Sequence, residues 1–581
     1  MEELKKYDNL NDDEKANFIK KMKDNLAKIR KPFEAMVDNV ALMVHPGRRL
    51  ITDTGVSKGQ KTGTKIYDGT AMNAASIYAE GVHGHLCSAS IAWFKFEVPT
   101  KYNFGRISGM KAWNGKRLDE YPDVREYCET MEEAMYPAYR RSNFYTFNPE
   151  SIREGATIGT ATGFLQENVA AGRTVFTLPH FREVYIAENQ FGEVDTWFRE
   201  YNLTLSQMVE KFGIDKLIES DSNFINEFNT DPYKERPFIN AIFPRERYNA
   251  GSMAGRDRPW ASIWVQVQPL KLMLEDGFYD PPAVTWRFRK NNDEWYGRSL
   301  AWDAYCSIMS ANQMGRTNIE AGQKMVDPAM VGPTDMRGRI NRKPGAWNWV
   351  DAAMMQKELY PKPLVTGIQL PFGVEQQERL DAAIREHFHI DYFLMLNRAA
   401  MEKVELTAYQ VAGMMGEQAA ILGTKIGRLQ TEWLDPEMDR MIAVEDRAGR
   451  LPDIPQIMLD LGQRIELDYL GPLAQAQKQI FEIQGLRTGL RIAADIVAID
   501  QTAIDVLDGD AAMRKGLRAA AFPATAIRSP ENVAKIRAIR QQQMEQERAM
   551  QQAIDVSKAL PGAGKAIEKG SAADALMGGQ G

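Results

Sequence analysis

At 581 residues, with 44% hydrophobic and 26% charged side chains, the chain has the composition of a globular protein large enough for several subdomains. Its formal net charge of -6 lacks the basic footprint of a protein that grips nucleic acid nonspecifically. Three isolated cysteines, Cys87, Cys128 and Cys306, with no CxxC, argue against a disulfide framework and a cysteine-based zinc site.

The opening residues, Met1-Glu2-Glu3-Leu4-Lys5-Lys6, have no apolar core of a signal peptide, and no apolar run is long enough to predict a membrane span. From Asp12 to His45, Phe18, Met22, Leu26, Ile29, Phe33, Val37, Val40 and Met43 recur at three- and four-residue steps and predict a helix. Pro32 falls inside it and is expected to kink or break it. Arg48 to Lys65 reads as a polar, Gly-rich loop, Asp68 to Leu86 as a helix, and Ala92 to Val98 as a strand. Lys116 to Arg141 predicts a charged helix with Val124, Tyr127, Met131 and Met135 on its apolar face.

From about Gly163 the period changes to two. The runs 164–169 and 174–178 flank Ala170-Ala171-Gly172-Arg173, a hairpin signal. Strands follow at 184–186 and 194–199, short helices around 205–212, and further strands at 238–243, 262–267 and 284–288. The span 160–290 is therefore a β-rich part between helical regions, and the fold class is α+β, mainly helical. A long helix is predicted from Tyr296-Gly297-Arg298-Ser299 to about Met325. An insert full of Pro and Gly comes next, then a second helix from about Val374 to Leu396. Leu300, Ala301, Ala304, Tyr305, Ile308 and Ala311 stripe the first; Leu380, Ala383, Ile384, His387 and Phe388 stripe the second, with Asp381 and Arg385 at i,i+4 spacing. Another long helix starts near Thr407. Short helices broken by glycines occupy 480–521, Ser529-Pro530-Glu531 is a helix start, and the residues from Pro561 read as a flexible tail. There is no fixed-period repeat.

Four short stretches stand in a telling order: Tyr279-Asp280-Pro281-Pro282, Trp295-Tyr296-Gly297-Arg298-Ser299, Leu422-Gly423 through Glu432, and Tyr469 through Gln477. Each is weak alone. In this order and spacing, in a chain of this size, they resemble the portal, or head-to-tail connector, proteins of short-tailed double-stranded DNA bacteriophages over roughly residues 25–525. The resemblance implies a ring subunit with a β-rich wing (1–295), a two-helix stem (296–326 and 374–396), a clip (327–373) and a channel loop (397–406). It further implies a wing helix with its return (407–475), a helical crown (476–560) and a tail (561–581). It implies a structural, non-enzymatic role without cofactor, in the virion after assembly in the host cytoplasm. The implied partners are other copies of the chain, the packaging terminase ATPase, scaffolding and major capsid proteins, tail or adaptor proteins, and double-stranded DNA passing without sequence specificity. A head-completion adaptor ring stacked on a portal is the alternative, although such adaptors are usually much shorter.

Within that reading, Arg398, Met401, Lys403, Lys425 and Arg428 are the candidates for brief contact with a passing duplex, and Trp347 and Trp349 for packing or partner docking on the clip. A moving duplex requires a lumen that does not hold it, since each neutralised phosphate tightens binding. Geometry permits a channel. Arg298 to Met325 spans roughly 42 Å as a helix. A ring of about twelve such helices at 8–10 Å spacing leaves a hole of roughly 25 Å, enough for a duplex.

Catalytic readings fail on their residues. Gly59-Gln60-Lys61-Thr62-Gly63-Thr64-Lys65 ends in the wrong order for a phosphate loop, and Gly562-Ala563-Gly564-Lys565-Ala566 lacks the upstream Gly and the Ser/Thr. His83-Gly84-His85 and His387-Phe388-His389 lie on predicted helices, where i and i+2 diverge, so core or capping roles are expected and no metal site. Asp119-Glu120 and Glu132-Glu133 read as solvated helix faces.

Overall fold

The computed structural model describes residues 7, 10–49, 66–98, 121–221, 223–249, 251–332, 334, 341, 347, 349, 351–357, 360–363, 370–393, 423, 427–461, 465–470, 491, 509–510, 513, 528 and 530–559. Two compact units form. One comprises Met1–Glu97, Cys128–Ile454 and Ile465–Gly485; the other comprises Val98–Tyr127, Pro455–Arg464 and Leu486–Gly581.

The larger unit is organised on antiparallel sheets. Helix α1, Asp12–Val44, begins with a capping box: Asn11 Oδ1 accepts from Glu14 N, and Glu14 returns the bond to Asn11 N. Contrary to the break expected at Pro32, the helix runs through it for 33 residues. Its buried stripe of Ala16, Ile19, Leu26, Val37, Val40 and Ala41 outweighs one missing backbone bond. Helix α2 is Thr70–Leu86, strand β1 Phe94–Glu97, α3 Pro122–Arg141 and α4 Phe144–Ile158. The predicted hairpin is β2, Thr160–Asn168, with β3, Arg173–Thr177; then come β4, Val184–Glu188, and β5, Val194–Thr204.

Three short helices, α5 (Leu205–Phe212), α6 (Ile214–Ser220) and α7 (Phe224–Thr230), precede β6 (Glu235–Pro244), β7 (Trp260–Gln266), β8 (Lys271–Phe278) and β9 (Ala283–Arg287). Strands β4 to β8 form a five-stranded meander; β3, β2 and β9 make a second sheet, and β1 pairs with β12, Glu466–Tyr469. Alternation along β6 assigns the layers. Ile239, Ala241 and Phe243 face the core shared with Ala16, Ile19 and Leu26 of α1. Phe238 points the other way, into a core with Leu205, Met208, Leu217 and Phe224 of the small helices. Ile242 joins Val37, Ile158, Phe164, Trp197 and Tyr296.

The long helix after Ser299 is divided, against expectation. Helix α8, Leu300–Asp303, stops at Ala304, and α9 runs Tyr305–Val326. Strand β10, Met330–Val331, pairs with β11, Lys362–Pro363, and α10, Ala352–Gln356, lies between them. Helix α11, Leu370–His387, starts earlier and ends sooner than its pattern suggests. Pro371 sits in the first turn, where a missing N–H costs nothing, and His389 adopts φ 55, a left-handed residue just past the end. Leu394 to Leu396 lie outside the described residues. Near Thr407 the expected helix also falls outside them; the chain is described again as a π turn, Gln430–Leu434, continuing into α12, Asp435–Arg447. In the smaller unit the C-terminal helix Pro530–Ala559 begins where the Ser-Pro-Glu signal placed it, and Arg537 pairs with Asp510 at 2.6 Å.

Candidate functional site

The candidate site is the helix pair α9 and α11 with the segment between them. The two helices pack along one another. Leu300, Ala301, Ala304, Ile308 and Ala311 are buried, as are Ile384 and Phe388, whereas His387 is exposed. Polar ties fix the pair. Asn318 Nδ2 donates to Gly373 O at 3.1 Å, and Asn312 Oδ1 accepts from Tyr67 N at 2.7 Å. The Asp381 carboxylate accepts from Gln377 Nε2 at 3.1 Å and feels the charge of Arg385 one turn on, while burial and then the nearby Asp68 raise its pKa on balance. Outward ion pairs Arg316–Glu320 and Arg379–Glu375 are exposed and add little stability.

Trp347 and Trp349 stand 80% and 87% exposed, with ring centroids 5.5 Å apart and planes at 28°. Two stacked indoles open to solvent within one chain are a surface that a partner can cover. Of the residues proposed for DNA contact, Arg428 is half-buried just before the π turn, with Nη1 shielded and unpartnered. Arg398, Met401, Lys403 and Lys425 lie outside the described residues, as do both phosphate-loop-like stretches and most of the insert.

Of the stretches that carried the resemblance, the one at 295–299 leads into this helix pair, and described residues of the others fasten α12. Tyr296 is buried, and its hydroxyl accepts from Ile186 N at 3.2 Å. Gly297 N donates to Thr160 Oγ1 at 2.8 Å, and a Cβ on Gly297 would lie 2.3 Å from Gly159 O. Gly159 itself has φ +100, so this crossing of α4's end with the start of α8 requires both glycines. Ser299 caps α8 by accepting from Trp302 N at 3.0 Å. Asp280 receives Arg440 at 3.3 Å and also pairs with Arg447, fastening α12 to the β8–β9 turn. Tyr469 donates to Asp435 Oδ1 at 2.5 Å.

Sequence reading missed a buried charge network. Arg287 at the end of β9 is 2% exposed. It pairs with Glu188 of β4 and, at 2.8 Å, with Glu432 of the π turn; Lys290 reaches Glu188 at 2.7 Å. The strand pattern Val284-Thr285-Trp286-Arg287-Phe288 offered only an alternating polar position. Glu132 was misread as a solvated face: its carboxylate accepts from Phe96 N at 2.8 Å, and burial pushes it up to about 7. His83 and His85 are local structure. Asn148 Nδ2 lies 3.2 Å from His83 Nδ1, and His85 Nδ1 is 2.8 Å from Gly81 O; burial holds His83 down to about 4. Among the described residues no His, Cys, Asp and Glu cluster has the makings of a metal site, and no helix is long and apolar enough to cross a membrane.

Comparison with known proteins gives this geometry a family. The chain is 25% identical over 544 residues to the portal protein of Salmonella phage epsilon15, covering 92% of this chain and 93% of that one. It is 24% identical over 445 residues to the probable portal protein of Bordetella phage BPP-1, covering 76% and 75%. The family model described as bacteriophage head to tail connecting protein matches residues 16–527, so the chain belongs to that family, whose members are structural and not enzymes.

Proposed function

We propose that the chain is a portal subunit. About twelve copies close by rotation into a ring at one capsid vertex. Double-stranded DNA passes inward through it during packaging and outward during ejection. Helices α8, α9 and α11 form the stem, the insert 327–373 the clip that meets the packaging terminase and later the tail, and 397–406 the channel loop. The C-terminal helices form a crown facing the capsid interior, where scaffolding and major capsid proteins meet the ring during assembly. The observation that carries the reading is the family match across 16–527 on a chain that also presents a tied helix pair with an insert between its members. The adaptor alternative is disfavoured, because the portal protein it resembles is matched along 93% of its own length. Native mass spectrometry and electron microscopy of the purified protein test it. A closed homomeric ring is expected; monomer or dimer alone across assembly conditions sinks the reading.

A further inference from the structure

The π turn Gln430–Leu434 joins a helix that is otherwise α to α12, with no break between them. A π turn carries one residue more than the α turn it replaces, and it is retained where local geometry rewards it. Here one flank is rewarded. Glu432 accepts from Arg287 N at 3.0 Å and from its guanidinium at 2.8 Å, and Trp433 Nε1 donates to Asn148 Oδ1 at 3.2 Å. The other flank is penalised. Glu437, in the first turn of α12, is 0% exposed, and neither carboxylate oxygen has a hydrogen-bond partner. A buried polar group without a partner is costly even when neutral, and far more so when ionised.

We propose that the π turn and the first turn of α12 form a two-state joint. In the closed form Glu437 is buried and neutral, and the Glu432–Arg287 pair holds the turn. In the open form the π turn relaxes and Glu437 reaches water. Among the described residues the closed site has nothing to stabilise a carboxylate. Among the described residues, the groups that face Glu437 are Cys87 at the C-cap of α2, Tyr139 from α3 and Tyr145 from α4, all acids raised by burial and all neutral at physiological pH; Arg140 of α3 reaches the cluster at Tyr145. Asp439 on the same helix also acts on Tyr139, and Asp435 is raised by burial beside Tyr469. Burial alone drives the Glu437 carboxyl well above its usual range. The closed form therefore binds a proton that the hydrated form releases, so rising pH favours opening.

Amide exchange of the full-length protein, read by mass spectrometry and corrected for intrinsic rates, tests the joint. Between pH 5.5 and 7.5, one released proton gives about tenfold per pH unit, up to about 100-fold, in the opening of residues 435–441. Glu437→Gln keeps the neutral shape and releases no proton on opening, so it should be better protected than the wild type at both pH values and change little with pH. Comparing the two chains removes any contribution from Asp435. Glu432→Gln, which weakens the clamp, should raise opening at both pH values. Wild-type protection that does not vary with pH overturns the proposal without need of a variant, and so does a Glu437→Gln profile that follows the wild type.

Discussion

Arg287 is where a single side chain decides most. It is 2% exposed and ties β9 to β4 through Glu188 and to the π turn through Glu432. Removing one member of a buried ion network strands the others. Arg287→Met should therefore destabilise the larger unit by about 3–5 kcal/mol. Adding Glu188→Gln and Glu432→Gln to it should recover part of that loss. Chemical denaturation reads this; a single substitution costing under about 0.5 kcal/mol would mean that water already replaces the network.

His45, the C-cap of α1, is pushed down to about 3, first by burial and then by the charges of Arg153 and Arg48. A histidine held neutral in the fold contributes stability above its unfolded value of about 6.5 and loses it as pH falls. His45→Gln should flatten the decline in melting temperature between pH 7 and 5, and an unchanged slope would assign that decline elsewhere. Neither Arg287 nor His45 was legible in the sequence. Arg287 acts through Glu188 and Glu432 on distant elements, and His45 is set largely by its burial and by Arg153 far along the chain, whereas a single chain's periodicity reports only which face is apolar.

Elements were legible where one periodicity dominates. Helix α1 and the β2–β3 hairpin follow the apolar spacing, and the C-terminal helix follows its Ser-Pro-Glu start. Strand β8 was missed because Lys271-Leu272-Met273-Leu274-Glu275-Asp276-Gly277-Phe278 does not alternate. Its ladder with β7 supplies the order instead, with a register shift at Trp264/Val265. Helix α4 was missed because Pro149 interrupts its pattern and no side chain caps its start. Ten of its fifteen residues are buried, so packing fixes it. The break between α8 and α9 has no breaker residue, and Ala304 takes a turn conformation at ψ -1.

At this scale the insert between α9 and α11 has a testable independence. Its ends pair as β10 with β11. Deleting 330–368 should leave the larger unit folded, with unchanged secondary structure by circular dichroism, and abolish capture of the packaging ATPase. Trp347→Ser with Trp349→Ser should weaken that capture without the deletion, since exposed stacked aromatics are the side chains that become anchors when covered. Full capture by both variants would move the docking surface off the insert.

Over the whole molecule, the described faces of α9 carry apolar residues that one chain leaves in water. Ile319 is 48% exposed and Val326 is 88% exposed, seven residues apart and so on the same face. Met330 and Val331 continue the exposure into β10. A ring of like subunits would cover them. Such contacts are heterologous, one face of each copy meeting a different face of the next, so a charge placed there faces an apolar neighbour at every interface at once. Ile319→Asp should therefore leave the monomer folded, because Ile319 is half in water, whereas the buried Ile308 and Ala311 hold α9 to its own chain. It should prevent ring closure at concentrations where the wild type is closed. The wild-type melting temperature should rise with protein concentration, because assembly draws the equilibrium toward the folded subunit, and that rise should vanish in the variant. Sedimentation velocity beside thermal scans at two concentrations separates the cases. A variant that closes rings normally would place the subunit interface on another face of the helix pair.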